Sequence, residues 1–348
     1  MNEKKLDILS LTLPELSEKL TALGEKKFRA QQIYGWLHVK RVQSFDEMSD
    51  ISKNLRQKLS ECFIIPKINA VKELISSQDG TRKYLFALPD GECIETVFME
   101  YRHAHSLCVS SQVGCRMGCT FCASGKNGLV RNMTPSEMLL QVYEVERLTG
   151  KSIGSLVMMG IGEPLDNFDN TIKFLTLLSD ENGKNLSLRH VSLSTCGLVS
   201  EIRKLADLRL GLTLSVSLHN ADNAKRQEIM PIAKVYSVDD LIAACKDYID
   251  RTGRRVSFEY AVIDGINDSS EDANKLSGAL RGINCHINLI PVNSVDGTGY
   301  SKNNKSVLRF KEALERDRLQ VTIRRTLGSD INAACGQLRM NHTQSNPC

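Results

Sequence analysis

His105-Ser-Leu-Cys108-Val-Ser-Ser111-Gln-Val-Gly-Cys115-Arg-Met-Gly-Cys119-Thr-Phe-Cys122 is the stretch that orders the rest of the chain. Residues 105–111 read as a strand, and residues 112–122 read as a short loop carrying three cysteines. Intervals of three and two residues suit a loop wrapped around a metal cluster. Three thiolates can hold three irons of a cubane [4Fe–4S] cluster and leave the fourth iron open to a second molecule. A structural zinc asks for four closed ligands, commonly as paired C-x₂-C units, and only one such unit is present here.

Downstream of this loop, strand patterns at 155–159, 190–195, 212–218, 256–263, 286–290 and 320–324 alternate with helical ones. The helices are expected at about 134–149, 168–179, 199–208, 237–251, 270–280 and 305–317, the first opened by the capping box Thr134-Pro-Ser-Glu137 and closed by Gly150. Such alternation demands parallel pairing through right-handed crossovers. The fold class expected is α/β, an open (β/α)6-type partial TIM barrel over residues 101–339. Residues 1–66 read as short helices, with a capping box at Thr12-Leu-Pro-Glu15. Residues 68–99 read as a three-strand meander turning at Asp79-Gly80 and Asp90-Gly91. Residues 1–100 would form a small accessory domain suited to RNA binding, and residues 340–348 a disordered tail.

The 348 residues are 41% hydrophobic and 25% charged, with eleven cysteines and a net charge of +4. No apolar run is long enough to span a membrane, and no leader-like segment opens the chain. Cysteines in such a chain point to a reducing, cytoplasmic setting where thiolates stay available to iron. Residues 302–339 hold nine Lys or Arg against four Asp or Glu, and Lys26, Lys27, Arg29, Lys40 and Arg41 surround Trp36 and His38. These patches suit phosphate contact with a nucleic acid, or are merely solvated faces.

In a β/α barrel the chemistry gathers at the C-terminal ends of the strands. There the chain places the cysteine loop, Gly160-Ile-Gly162-Glu163-Pro164, Ser194, Ser217-Leu218-His219, Asn293 and Cys335. Glycines there would let backbone approach a ligand, and Glu163 would accept from an amine. Cys62, Cys196, Cys245, Cys285 and Cys348 read as small hydrophobes or bystanders. Glu95 shares a strand face with Cys93, Val97 and Met99, an apolar setting that favours proton uptake, unless that face is an exposed edge.

With these residues assembled, the chain resembles the radical S-adenosylmethionine (SAM) enzymes and, more narrowly, RlmN-type adenine-C2 RNA methyltransferases. The resemblance rests on Ser106–Cys115, on Met159-Gly-Ile-Gly-Glu-Pro-Leu165, on Ser217-Leu-His219 and on Gly328-Ser-Asp-Ile-Asn-Ala-Ala-Cys-Gly-Gln-Leu338, and it reaches Phe28–Ile33. It implies that Cys115, Cys119 and Cys122 ligate one [4Fe–4S] cluster, with SAM at the open iron and two SAM used per turnover. Gly162, Glu163, Ser194, Ser217, Leu218, His219 and Asn293 would form the SAM pocket. Cys335 would carry the methyl group, Glu95 would accept the proton from adenine C2, and Cys108 would pair transiently with Cys335 as a disulfide. The implied partners are 23S ribosomal RNA, transfer RNA and a flavodoxin-type electron donor. No membrane is implied, and a monomer is the default.

The base must be unstacked to expose C2. Trp36, Lys40 and Arg41, together with Arg324 and Arg325, are the candidates for gripping the RNA. Two other readings stay open. One is a Cfr-type enzyme methylating adenine C8, which shares the cysteine loop, Cys335 and Glu95 but tends to carry Gly-Glu-Ala where this chain has Gly-Glu-Pro. The other is a non-catalytic RNA-binding protein stapled by zinc through Cys108, Cys115, Cys119 and Cys122.

Overall fold

The structure, a computed structural model, describes residues 5–101, 104–292 and 303–333. The chain opens with strand β1 (Leu6–Asp7), helices α1 (Leu13–Ala22), α2 (Phe28–His38) and α3 (Lys53–Cys62), and strand β2 (Phe63–Ile64), which pairs in parallel with β1. Next comes a meander of β3 (Asn69–Ile75), β4 (Arg82–Ala87) and β5 (Cys93–Tyr101). After β6 (Ala104–Cys108), a small antiparallel pair, β7 (Gln112–Gly114) and β8 (Leu129–Asn132), brackets the cysteine loop. The alternating part comprises α4 (Pro135–Thr149), β9 (Ser155–Met158), α5 (Phe168–Ser179), β10 (Val191–Thr195), α6 (Val199–Asp207), β11 (Thr213–Ser217), α7 (Asn223–Ile229) and α8 (Val238–Thr252). It ends with β12 (Val256–Val262), α9 (Ser270–Leu280), β13 (Cys285–Pro291), α10 (Asn304–Arg316) and β14 (Val321–Ile323).

Local chemistry sets these boundaries. Thr134 and Glu137 exchange hydrogen bonds across the first turn of α4, at 2.9 and 3.2 Å, and Gly150 ends the helix at φ +68. Ser237 with Asp240 and Ser269 with Asp272 form the same reciprocal cap on α8 and α9. The seven strands and six helices expected after residue 104 are all present. Helix α7, which no periodicity announced, is an addition.

Ten strands form one sheet in the order β14-β13-β12-β11-β10-β9-β6-β5-β4-β3. The seven from β6 and β9 to β14 run parallel, as right-handed β/α units require, and the described edges β14 and β3 do not pair with each other. The partial barrel is therefore open. The meander joins it directly: β5 pairs antiparallel with β6, Val97 opposite Cys108. The accessory strands thus extend the barrel wall instead of forming a separate layer, while α1–α3 pack outside it.

Alternation along the strands divides core from cavity. On β10, Val191 and Leu193 are buried in the core, while Ser192 and Ser194 face the other way. Their register partners on β11 and β12 put Ser215, Ser217, Ser257 and Glu259 on that inner face, where Ser192 and Ser215 bond at 2.9 Å. A polar interior to a barrel is a cavity waiting for a polar ligand, not a packed core.

Candidate active site

The cysteine loop is closed at its base where the Cys115 N–H donates to Gly128 O at 2.9 Å. A Cβ at Gly114, whose φ is +77, would lie 2.1 Å from that oxygen, so only glycine lets the two limbs cross. Farther along, Thr120 N–H donates to Ile229 O at 3.0 Å, resting the loop on the end of α7. Met117, Cys119 and Phe121 pack there against Cys196, Ile229 and Met230.

Beneath the loop lies a cleft with about 960 Å³ of empty space, open to solvent on one side. Cys115, Cys119 and Cys122 line it together with Gly162, Glu163, Ser194, Ser217 and His219. Residues from three strand ends, β9, β10 and β11, and from one loop therefore converge, as barrel logic anticipates. Leu218 does not line the cleft: it is fully buried in the core, its N–H bonded to Glu259 O at 3.1 Å. Asn293 lies outside the described residues.

The glycines of the Gly160–Glu163 turn answer a different demand from the one expected. A Cβ at Gly160 would meet Val109 O at 2.6 Å, and one at Gly162 (φ +106) would meet Gln112 Cβ at 2.6 Å. They let this turn press against the continuation of β6, so their closest neighbour is the chain itself. Gln112, fully buried, accepts from Glu163 N–H at 2.8 Å and donates to Asn132 and Asp166. Glu163 accepts backbone N–H bonds from Leu165 (3.0 Å) and Cys196 (2.7 Å), which oppose the rise in its pKa that burial causes.

His219 is held at φ +57, a conformation rare for a residue with a side chain. Three bonds over-determine it: Nδ1 accepts from Ala261 N–H at 2.8 Å, its carbonyl accepts from Asn267 at 2.6 Å, and its N–H reaches Glu259 O at 3.4 Å. Burial and the nearby Arg226 hold its pKa down to about 3, so the ring is neutral, with Nε2 carrying the hydrogen. It stands edge-on to Phe121 of the cysteine loop, ring centres 4.7 Å apart.

Arg226 on α7 escaped the sequence reading. Fully buried, it donates to Cys196 O (2.9 Å), Leu218 O (3.0 Å) and Ser217 O (3.3 Å), clamping the ends of β10 and β11. Cys196, read as a bystander, lines the cleft beside the three cysteines. Both were invisible because neither sits in a patterned motif. Cys245 and Cys285 are buried away from the cleft, and Cys348 lies outside the described residues.

A second constellation adjoins the first. Cys108, Val97, Met99 and Ile161 pack with Ala333, from the segment that leads to Cys335, and Met159 borders both this cluster and the cleft. Cys335 itself lies outside the described residues. The segment before it is held by the β3–β4 turn: Asp330 accepts from Ser76 Oγ (2.7 Å) and Ser77 N–H (3.0 Å), and Gly328 N–H donates to Asp79 at 2.9 Å. Glu95 is buried, not on an exposed edge, and its face is less apolar than expected: Lys83 Nζ lies 3.1 Å from its carboxylate. A lysine in the otherwise bulky run Lys83-Tyr-Leu-Phe86 was the available signal. Ser110 Oγ donates to Glu95 O at 2.7 Å and accepts from Ile161 N–H at 3.0 Å, tying the Glu95 strand to the Gly-Glu turn. Gln141 of α4 locks Thr96 and Ser110 from behind.

Residues 6–65 match the model for the ribosomal RNA large subunit methyltransferase N-terminal domain, and residues 109–276 that of the radical SAM superfamily. The chain is 52% identical over 343 residues to a probable dual-specificity RNA methyltransferase RlmN of Alkaliphilus oremlandii, covering 98% of this chain and all of the relative. It belongs to the RlmN family. A relative of the same name from Lachnoclostridium phytofermentans is 50% identical, covering 98% of this chain and 96% of its own. A solved radical SAM methyltransferase from Sphaerobacter thermophilus superposes with a TM-score of 0.92 at 40% identity, over 97% of this chain and 100% of that one. The chain is thus a radical SAM RNA methyltransferase of RlmN type, a kinship that favours this reading over the Cfr type.

RlmN-type membership brings a [4Fe–4S] cluster and SAM, and the residues fit them. Burial, reinforced by the neighbouring Cys122, pushes the Cys115 thiol up to about 12 and raises that of Cys119 further still. Such thiols stay protonated unless a cation displaces the proton, which an iron cluster does. A structural zinc would need a fourth ligand closed around it beside the three cysteines. Cys108, the fourth ligand of the zinc reading, packs instead with Ala333 and Val97.

Of the residues expected to grip RNA, Arg324 lines this cleft, whereas Trp36, Lys40, Arg41 and Arg325 do not. Arg41 pairs with Glu146 at 2.7 Å and stacks on Tyr143, and Lys40 sits over the Trp36 ring. Glu146 and Tyr143 lie on the later turns of α4, which run away from the strand ends. Arg324 turns into the cleft wall toward Met159 and Glu259, while Arg325 is exposed. Among the described residues no helix is long and apolar enough to cross a membrane.

Proposed function

We propose that this enzyme methylates C2 of adenine in 23S ribosomal RNA and in transfer RNA, by way of a methyl group carried on Cys335. The observation that carries the reading is the packing of Ala333, two residues before Cys335, onto Cys108 and the Val97–Met99 face of the Glu95 strand. That packing supports the reading by bringing the segment before the proposed carrier against the strands of Cys108 and Glu95, beside a cleft lined by three cysteines. When bound, the cluster and SAM supply a methyl group and a 5′-deoxyadenosyl radical.

The chain's own residues do the rest. Cys115, Cys119 and Cys122 hold the cluster; Gly162, Glu163, Ser194, Ser217, His219 and Asn293 orient SAM, with Leu218 supporting that wall from the core. The Cys335 sulfur takes the methyl group and presents it to C2. Glu95 accepts the C2 proton while the electron pair of the broken C–H bond stays with the base. Cys108 then attacks the Cys335 sulfur: an S–S bond forms, the carbon–sulfur bond to the product breaks with its electron pair passing to the departing carbon, and a proton completes the methyl group. A flavodoxin-type protein as electron donor, a cytoplasmic location and a monomeric state complete the reading.

The test is mass spectrometry of adenosines after anaerobic reaction of the reconstituted enzyme with ribosomal and transfer RNA separately. 2-Methyladenosine in both is expected; 8-methyladenosine would overturn the regiochemistry, and a product in only one RNA would overturn the breadth. The Cys335→Ala variant is expected to yield neither product.

A further inference from the structure

We propose that Lys83 is a positioning residue for proton removal, tying the base to the arm that leads to the methyl carrier. The proposal rests on the reading of Glu95 as proton acceptor and adds a residue to it. Lys83 Nζ lies 3.1 Å from Glu95 Oε1 and donates to Asn332 O, also at 3.1 Å. The two charged side chains keep only 10% and 9% of their exposure. β4 and β5 set the pair by register: Lys83 stands opposite Val97, so Glu95 lies diagonally across on the same face. Asn332, at φ +51, points its carbonyl at the ammonium three residues before Cys335. Gly328 makes that arm possible, since a Cβ there would meet Ala333 Cβ at 2.8 Å.

The physics is direct. A carboxylate removed from water favours its neutral acid, and a neutral acid cannot accept a proton. An ammonium at hydrogen-bond distance restores the charged form and fixes where its oxygens lie. The same ammonium bonds the arm's backbone, so base and carrier are held by one side chain. Phosphate contact is the other common task of a lysine, and a side chain this enclosed does not offer itself for it.

The experiment uses cluster-reconstituted enzyme and a transcript that the wild type methylates, with and without deuterium at adenine C2. In Lys83→Met we expect Cys335 to become methylated, the covalent RNA adduct to accumulate, and its release to slow by about tenfold or more, up to the ~10²–10⁴-fold that a general base itself contributes. A primary isotope effect on release is expected to appear in this variant, which a merely structural defect would not produce. Lys83→Arg is expected to restore release to within a few-fold. Lys83→Met combined with Glu95→Gln is expected to release no more slowly than Glu95→Gln alone, because the two act as one unit. Release by Lys83→Met at the wild-type rate, beside a stalled Glu95→Gln, would overturn the assignment of Lys83 alone. A freely turning Glu95→Gln would overturn the base reading itself. A Lys83→Met stall before Cys335 methylation, or one that Lys83→Arg does not relieve, would make the lysine a prop for the arm only.

Discussion

The cleft under the cysteine loop and the neighbouring Glu95–Cys108 site are built in opposite ways. The cleft takes its residues from strand ends, each supplied by a short contiguous motif: Cys115–Cys122, Gly160–Pro164, Ser217–His219. The second site is assembled across the sheet from β4, β5, β6 and a segment more than two hundred residues downstream. The first rests on loop geometry that glycines permit, the second on register and on two carboxylates that accept hydrogen bonds from the opposing segment. Damage to one should therefore look chemically different from damage to the other.

The largest effect is expected from Cys119→Ala. Losing one of three thiolates should abolish the brown absorbance and bound iron of the anaerobically purified protein and leave RNA methylation undetectable, read by iron analysis and adenosine mass spectrometry. Glu95→Gln should come second, with iron content and SAM cleavage retained but release of the RNA adduct slowed by about 10²–10⁴-fold, seen as a gel-shifted covalent species. If Glu95→Gln lost iron as well, the separation of the two sites would fail.

Gly162→Ala sharpens the contrast within the cleft itself. The added methyl meets Gln112 at 2.6 Å on a backbone at φ +106, a strain of about 1–3 kcal/mol that the turn must relieve by moving. Since Glu163 is tethered through Gln112, SAM affinity measured by equilibrium dialysis is expected to weaken about tenfold, with the cluster intact. An unchanged affinity would show that the turn can shift without disturbing the wall.

This division also explains what could be read in the sequence. The barrel was legible because alternating periods and capping boxes such as Thr134–Glu137 are local, and the cleft was legible because its motifs are contiguous. Arg226 was not: an arginine in a short unpatterned helix reads as solvated, and only the fold shows it bonded to three carbonyls. Lys83 was missed for a related reason. Its meaning lies in the β4–β5 register, and register is a property of two segments. The continuity of the meander with the barrel was likewise hidden, because the antiparallel β5–β6 step resembles a domain boundary when read along the chain. In the basic patch, Arg41 pairs with Glu146 of α4, while Lys40 stays exposed over the half-buried Trp36 ring, a division the sequence alone did not show.

The smallest effect is expected at the latch between the β3–β4 turn and the carrier arm. Asp330 is held below the ordinary aspartate value of 3.8, first by the Ser76 hydroxyl and then by the Ser77 N–H. Asp79 is likewise lowered, its bonds to Thr81 and Gly328 outweighing burial. Both folded pKa values lie below the unfolded ones, so the latch's contribution is fully present above about 4 and is lost only as pH falls through the lowered values. Across the working range of an enzyme the latch should therefore be insensitive to pH. Asp330→Asn keeps one acceptor and loses the charge, and adduct release is expected to fall by no more than a few-fold, while Asp330→Ala should do somewhat worse. Because Lys83 and the Ala333 packing hold the same arm independently, neither variant should change iron content or SAM binding. A loss of methylation in Asp330→Asn as deep as that in Glu95→Gln would mean that the arm hangs on this latch, and that the second site is far less redundant than its register suggests.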